Sequence, residues 1–218
     1  MTSKIEGRRA SRKAPESGAR ELKKSAATRL KILDAAADIF AERGFGQTLM
    51  GDIADRVGIH VTAIYYHFAN KVVLAEEVIN HVARVGGSEV REAIEQLDAN
   101  AGFDTKLTVG LKVQLEGVTR RRNYVRAQLK LLSELPADAQ KRHRQLLKGS
   151  VKFWRDLFET AASRGELKPG FDPRIARMVL IGSINWTVEW YRGDIAGVAE
   201  IAAQMAHHLL YGCATPSN

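Results

Sequence analysis

The chain has 218 residues, 45% of them hydrophobic and 27% charged, which is enough for a buried core and typical of a soluble folded protein. Its 33 Lys and Arg residues outnumber its 25 Asp and Glu residues, which favours an anionic partner such as nucleic acid, although charge alone also fits a membrane surface. Cys213 is the single cysteine, so an intrachain disulfide and a metal site built on several thiolates are excluded, and a reducing cytoplasm is the expected setting.

The first segment, residues 1–27, holds eight basic and three acidic side chains among proline, glycine and serine, and this composition predicts a flexible basic arm. It lacks the apolar core of a signal peptide, and no later segment has the roughly 18 apolar residues that span a bilayer. We therefore expect a cytoplasmic protein with no membrane partner. Two interpretations of the arm stay open: a solvated tail, or a segment that contacts DNA phosphates.

Residues 28–77 are predicted to form a compact unit of three helices. In the first helix, residues 28–43, apolar side chains that include Leu30 and Phe40 recur on one face, and Gly44 has the pattern of a glycine C-cap. The spacing therefore predicts a helix that packs on the rest of the unit and stops at Gly44.

The second and third helices are predicted to be joined by a tight glycine turn. Thr48 is expected to cap the second helix, and Gly58 to end it by adopting the left-handed conformation that reverses the chain. The third helix runs from about His60 to Phe68 and should bury Ile64 and Phe68. Helix, glycine turn and helix is the geometry that places a short second helix in a DNA major groove.

The residues of this unit resemble those of a known family. The run DIADRVGI, followed after three residues by AIYYHFANK, resembles the signature of TetR-family transcriptional regulators, and the likeness extends over about residues 28–78. The resemblance implies a helix-turn-helix that reads DNA, most often as a repressor. The residues predicted to contact double-stranded DNA are Thr48, His60, Val61, Thr62, Ala63, Tyr65, Tyr66, His67 and Lys71.

These assignments are chemically reasonable. An ammonium group such as that of Lys71 suits a phosphate, phenol hydroxyls donate to phosphate oxygens, and the methyl groups of Val61 and Thr62 suit thymine. Another interpretation is that Tyr66 or His67 packs under the turn instead. Because family members commonly have Ser or Thr where His60 stands, the readout is expected to depend on methyl contacts and DNA shape.

Residues 78–218 are predicted to form a larger helical domain for effector binding and dimerisation. Helices are expected at about residues 89–97, 106–120, 124–135, 137–164, 173–191 and 195–210, and Gly86 and Gly87 are expected to kink or break the chain between the two domains. The last two helices carry apolar residues around more of their circumference than one core needs. Together with the resemblance, this predicts a homodimer through these helices on a palindromic site; a wholly intramolecular core is the alternative.

Between residues 120 and 155, eleven basic side chains and two acidic ones alternate with leucines and aromatic residues. The resemblance implies an effector pocket in this domain, and such a mixture suits an amphipathic anion, for example an acyl thioester or a fatty or sterol-derived acid. The alternative is a solvated basic face over an ordinary leucine core. The residues predicted to bind the effector are Arg122, Arg126, Leu129, Trp154, Phe158, Met178, Trp186 and Trp190.

Enzymatic function is not predicted. The six histidines show no metal-ligand spacing, and no glycine-rich phosphate loop or GxSxG nucleophile elbow occurs, so we expect no catalytic residues, metal or cofactor. The sequence therefore predicts an all-α, ligand-responsive transcriptional repressor. The alternatives are a transcriptional activator and a helical carrier of anionic lipids or thioesters that does not bind DNA sequence-specifically.

Overall fold

A computed structural model describes residues 14–168, 170–193 and 195–212, which form nine helices and no strand. The helices are α1 (Ala14–Arg43), α2 (Met50–Val57), α3 (Val61–His67), α4 (Lys71–Glu95), α5 (Phe103–Arg120), α6 (Arg122–Glu134), α7 (Ala137–Ser163), α8 (Pro173–Trp190) and α9 (Val198–Tyr211). The predicted all-α fold is confirmed. Within the described ranges, none of the helices is both long and apolar enough to cross a membrane.

The first helix begins at Ala14, and not at residue 28 as predicted. The prediction of a flexible arm is therefore wrong for residues 14–27, while residues 1–13 lie outside the described residues. Good helix formers (Ala, Glu, Lys, Leu and Arg) dominate this stretch, which explains why it continues α1 although it packs on little. Leu22 is 73% exposed, and Leu30, predicted to face inward, is 49% exposed.

One hydrophobic core joins the predicted three-helix unit to α6. Phe40 of α1, Ile53 of α2 and Ile64 of α3 are fully buried in it, and Leu131 of α6 is buried in the same cluster. The predicted domain boundary at residues 77 and 78 falls within α4, and α6 completes the core of the amino-terminal unit. Helix α6 therefore packs directly on α1.

A second core lies between α5 and the remaining helices of the carboxyl-terminal half. Leu107 and Leu111 of α5, together with Trp154 and Phe158 of α7, are among its most buried side chains. The predicted break at Gly86 and Gly87 is wrong, because α4 continues through both glycines. Packing against α5 and α7 compensates for their low helix propensity.

A buried polar pair fastens α7 to α4. His143 is fully buried, and its Nδ1 donates to Asn80 Oδ1 at 2.9 Å, while its Nε2 has no hydrogen-bond partner in the described part of the chain. Burial lowers the pKa of His143 below its ordinary value of 6.5, and the nearby Arg144 lowers it further. The ring is therefore neutral when folded, and a proton on Nε2 would be buried without an acceptor.

This pair predicts a loss of stability in mild acid. The unfolded chain binds a proton at this histidine below about pH 6.5 while the folded chain does not, so the free energy of unfolding should fall as the pH drops from about 7 to about 5. Burial also lowers the pKa of His81, which acts in the same direction. Urea unfolding at several pH values measures the effect. Replacement of His143 by Gln should make the pH dependence shallower, and an unchanged slope would contradict this assignment.

Candidate DNA-reading surface and effector cavity

The turn between α2 and α3 has the predicted helix-turn-helix geometry. Gly58 adopts a left-handed conformation, with φ 74° and ψ 39°, and its amide donates to Ala54 O at 2.9 Å. The predicted anchors of α3 are confirmed, since Ile64 is 0% exposed and Phe68 is 1% exposed. The turn and its two anchors fix the angle at which α3 leaves α2.

The start of α2 differs from the prediction for Thr48. The N-cap residue is Leu49, whose amide donates to the carboxylate of Asp52 at 3.1 Å. Thr48 is fully buried, and its hydroxyl donates to the Gly44 carbonyl at 2.7 Å. Its side chain closes the turn between α1 and α2 and is not placed to contact DNA, so that part of the predicted site is wrong.

The outer face of α3 is a small open surface. His60 caps the helix, because its Nδ1 accepts from the Thr62 amide at 3.4 Å. The most exposed side chains are Tyr66, at 81%, and Tyr65, at 50%, so the interpretation that Tyr66 packs under the turn is wrong. His60 and Thr62 are exposed beside them. We call His60, Thr62, Tyr65 and Tyr66 the α3 outer face.

The other predicted contacts on α3 are less open. Val61, Ala63 and His67 are half-buried, and Val61 packs against the amino-terminal core. The ring of His67 lies edge-on to that of Tyr66, with 5.1 Å between the centroids. These three residues support the α3 outer face and reach solvent only at its edge.

Lys71 does not present its ammonium group on this face. Its Nζ donates to two carbonyl oxygens of the turn between α1 and α2, Phe45 O and Thr48 O, both at 2.8 Å. The same nitrogen lies 4.3 Å from the centroid of the Phe45 ring. Two of its three N–H groups are therefore used inside the protein. The ammonium group ties α4 to this turn, which is a structural role that the sequence did not predict, and its phosphate contact stays a prediction.

Removing the ammonium group should therefore cost stability. We expect Lys71→Met to lower the free energy of unfolding by about 1–3 kcal/mol, because two carbonyls lose a charged donor. Thermal or urea unfolding would show this in the absence of DNA. Lys31→Met is the matched control, because Lys31 is exposed on α1. Equal stability of the two variants would instead favour the predicted phosphate contact.

A cavity of about 140 Å³ lies in the carboxyl-terminal half, between α4, α5, α6, α7 and α8. Its apolar wall includes Trp154 and Ile184, and the two glycines of α4 form part of its lining. Its polar lining residues are Gln114, Gln128, Ser150, Arg177 and Asn185. No carboxylate lines it, and Arg177 has no ion-pair partner in the described part of the chain. The cavity therefore carries positive charge.

Of the eight residues predicted to bind an effector, only Trp154 lines this cavity. Phe158 is fully buried in the core, with its ring centroid 5.1 Å from that of Phe103. Leu129 is 43% exposed on α6. Gln114, Gln128 and Asn185 were missed because single amides in a helical sequence look like ordinary surface residues. The one available signal was their position beside apolar stripes.

The remaining five predicted effector residues lie elsewhere. Met178, Trp186 and Trp190 are 66%, 63% and 39% exposed on the outer side of α8. Arg122 donates to the Tyr191 carbonyl at 3.2 Å. Arg126 pairs with Glu189 at 3.2 Å. None of these five residues lines the cavity beside Trp154, and their part in effector binding stays a prediction. The sequence does not show which side of α8 turns inward, nor which partners the two arginines of α6 take.

Six of the eleven basic side chains between residues 120 and 155 pair with acidic residues outside this segment. Arg142 forms a two-bond pair with Glu76, at 2.6 and 2.7 Å, and lowers the pKa of that carboxyl. Arg121 likewise lowers the pKa of Glu89, to which it donates at 2.6 Å. Exposed pairs of this kind agree with the alternative that the sequence left open, a solvated basic face over an ordinary leucine core.

Comparison with known families gives the identity of this arrangement. A family model described as "Bacterial regulatory proteins, tetR family" matches residues 32–78, and one described as "Tetracyclin repressor-like, C-terminal domain" matches residues 101–213. The chain belongs to the TetR family. The predicted membership is thus confirmed, and TetR-family proteins are transcriptional regulators with an amino-terminal helix-turn-helix.

Two relatives and one solved structure are similar over most of the chain. The HTH-type transcriptional repressor KstR2 of Rhodococcus jostii (strain RHA1) is 28% identical over 195 residues, 87% of this chain and 93% of the relative. The fatty acid metabolism regulator protein of Bacillus subtilis (strain 168) is 25% identical over 166 residues, 76% of this chain and 84% of the relative. The fold is shared with AibR in complex with isovaleryl coenzyme A and operator DNA, at a TM-score of 0.70 and 22% identity over 85% of this chain and 98% of that one.

Proposed function

We propose that this chain is a cytoplasmic, ligand-responsive transcriptional repressor that binds a palindromic DNA operator as a homodimer. The observation that carries the proposal is the α3 outer face, whose polar and aromatic side chains stand exposed on a helix held rigidly by Gly58, Ile64 and Phe68. A short helix presented in this way fits the major groove, with hydroxyl and imidazole groups available to bases and phosphates. The relative named as the repressor KstR2 supports the direction of control.

The outer side of α8 supports a homodimer. Ile175, Met178, Val179 and Trp186 are 61%, 66%, 55% and 63% exposed, and they follow one another at helical spacing on a single stripe. Gly182 lies within the stripe, with open space where a side chain would be. Contiguous apolar surface of this kind is costly in water and marks a protein contact. A second copy of α8 would cover it and set two α3 helices on one palindrome.

We propose that the cavity beside Trp154 binds the effector, a small amphipathic anion such as an acyl thioester or a fatty or sterol-derived acid. Arg177 would pair with the anionic group, and the apolar wall would contact the hydrocarbon part. The proposal gains support from the relative named as a fatty acid metabolism regulator and from the isovaleryl coenzyme A bound by AibR. At about 140 Å³ the cavity is smaller than typical ligand sites of roughly 300–1,000 Å³. Binding must therefore move the helices around it, including α4 and α6, which also pack on the amino-terminal unit.

Replacing Arg177 should weaken anion binding selectively. We expect Arg177→Gln to lower the affinity for fatty acids and acyl thioesters about tenfold, because one charge-assisted hydrogen bond is lost, and to leave affinity for the corresponding methyl esters of the acids nearly unchanged. Quenching of tryptophan fluorescence during titration measures the affinity for the anionic ligands and that for the methyl esters. Arg174→Gln is the matched control, since Arg174 is exposed on the same helix and pairs with Asp172 at 2.8 Å. Equal affinity of the native chain and Arg177→Gln for the acids would remove Arg177 from the site.

Selection from a pool of genomic fragments tests the regulator proposal. The native protein, at physiological salt and with nonspecific competitor, should enrich a palindromic site, and a Tyr65→Ala, Tyr66→Ala variant should lose the enrichment. Leu129→Ala, which removes a side chain of similar exposure on α6, should retain it. Equal retention of all fragments, falling with salt and indifferent to the variant, would favour the carrier alternative. Increased transcription from the selected site when the protein is supplied would favour an activator.

A further inference from the structure

Helix α6 runs beside α1 in the same direction and makes polar contacts along its whole length. The contacts from α6 to α1 and the following turn are Asn123 Nδ2 to Asp38 Oδ1 at 2.7 Å, Tyr124 OH to Asp34 Oδ1 at 2.6 Å, Lys130 Nζ to Glu42 O at 2.9 Å, and the Phe45 and Gly46 amides to Glu134 Oε2. The last of these contacts reaches the turn that leads into the helix-turn-helix.

The carboxylate of Glu134 holds the backbone of this turn in place. Its Oε2 accepts from the amide of Phe45 at 2.9 Å and from that of Gly46 at 3.1 Å. Consecutive amides that converge on one anion form a nest, in which the carboxylate charge strengthens both hydrogen bonds. Gly44 is needed beside it, because its φ is 74° and a Cβ there would lie 2.8 Å from Glu134 Oε1.

The same turn is held from its carbonyl side by Lys71, which donates to Phe45 O and Thr48 O. An anion of α6 and a cation of α4 therefore orient the turn between them. Since α2 starts at Met50, two residues beyond Thr48, the position of the turn sets the position of α2. The position of α2 in turn sets that of α3, because the left-handed turn at Gly58 and the packing of Ile64 fix the two helices relative to each other.

Another face of α6 lines the effector cavity. Val125 and Gln128 belong to the cavity wall, while Ala127 and Leu131 are buried in the core that α6 shares with α1. Residues 128 and 134 are about 9 Å apart along the helix axis, at about 1.5 Å per residue. A ligand that widens the cavity displaces a rigid helix whose carboxyl end carries Glu134.

We infer that Glu134 is a positioning residue for operator binding, whose carboxylate holds the turn between α1 and α2 in the arrangement that reads DNA. Effector binding withdraws the carboxylate by displacing α6. This inference rests on the proposed function and adds to it the contact through which ligand and DNA are linked. Energetically, the ligand favours a state in which the nest is empty and DNA is bound less well.

Operator binding by Glu134→Gln and Glu134→Ala tests the inference. We expect the alanine variant to lose about tenfold in operator affinity and the glutamine variant less, because Gln keeps a neutral acceptor oxygen. Affinity for nonspecific DNA at the same salt should change less than about twofold. Asp138→Asn is the charge-matched control, because it removes one exposed carboxylate near the start of α7 and should keep operator affinity.

A second readout separates positioning from simple stabilisation. The amide proton resonances of Phe45 and Gly46 should lie downfield in the native protein and move upfield in Glu134→Ala, because the carboxylate no longer accepts from these two amides. A merely stabilising glutamate would lower the melting temperature and leave the ratio of operator to nonspecific affinity unchanged, which would overturn the inference. Failure of the native protein to select any operator would instead overturn the regulator proposal, and with it this role of Glu134.

Discussion

Replacing Trp186 with glutamate should convert the proposed dimer into monomers and lower operator affinity at least about 100-fold. The side chain is 63% exposed at the carboxyl end of the α8 stripe, where a second copy would bury it, and burial of an unpaired carboxylate in its place is strongly unfavourable. A monomer also loses the linkage between two half-sites, which alone is worth about 10²–10⁴ in affinity.

Light scattering during size-exclusion chromatography measures the mass, and fluorescence anisotropy measures operator binding. Leu129→Glu is the matched control, because Leu129 is 43% exposed on α6 and does not lie on the stripe. It should remain dimeric and keep its operator affinity. A dimeric Trp186→Glu variant would mean that α8 is not the interface and that its apolar stripe has another partner.

Local signals in the sequence were sufficient for much of the fold. Glycine at 58 and the helical spacing of Ile64 and Phe68 predict a turn and a buried face, because conformational freedom and amphipathic period are properties of a few neighbouring residues. Pro173 and Asp172 likewise predict the start of α8, where Asp172 accepts from the Arg174 amide at 2.8 Å. The end of α1 at Gly44 follows the same logic.

The sequence-based predictions fail where a role depends on distant parts of the chain. Lys71 follows the family pattern of a phosphate contact, yet its ammonium group bonds to carbonyls 23 and 26 residues earlier. Trp186 and Trp154 are equally plausible pocket residues in sequence, but one is 63% exposed and the other 2%. Only the packing of α8 on α5 and α7 decides which side of the helix is left open.

The early start of α1 has another cause. Residues 14–27 were predicted to be an arm because charge and scattered glycine suggest solvation, but solvation and helicity are compatible when helix formers continue a helix already nucleated by its packed part. Arg20, Lys23 and Lys24 are exposed, and the amino-terminal part of α1 holds them in fixed positions along the helix. Whether this part of α1 contacts DNA phosphates stays a prediction.

The two aromatic residues at the end of α3 should have different roles, Phe68 in stability and Tyr66 in operator binding. Phe68 is 1% exposed, and the guanidinium of Arg29 lies 4.7 Å from its ring centroid, so we expect Phe68→Ala to lower the free energy of unfolding by about 3–5 kcal/mol. Tyr66, two positions earlier and 81% exposed, should change stability by less than about 0.5 kcal/mol when replaced by alanine. Tyr66→Ala should nevertheless lower operator affinity about tenfold, since the ring and hydroxyl are lost from the α3 outer face.

Urea unfolding without DNA and anisotropy with operator DNA measure the two effects on the same pair of variants. The contrast is informative because both changes remove an aromatic ring from one short segment. If Tyr66→Ala were as destabilising as Phe68→Ala, the exposed position of its ring would be wrong. If it were stable and still bound operator normally, α3 would present its reading surface through His60 and Thr62, at the other end of the helix.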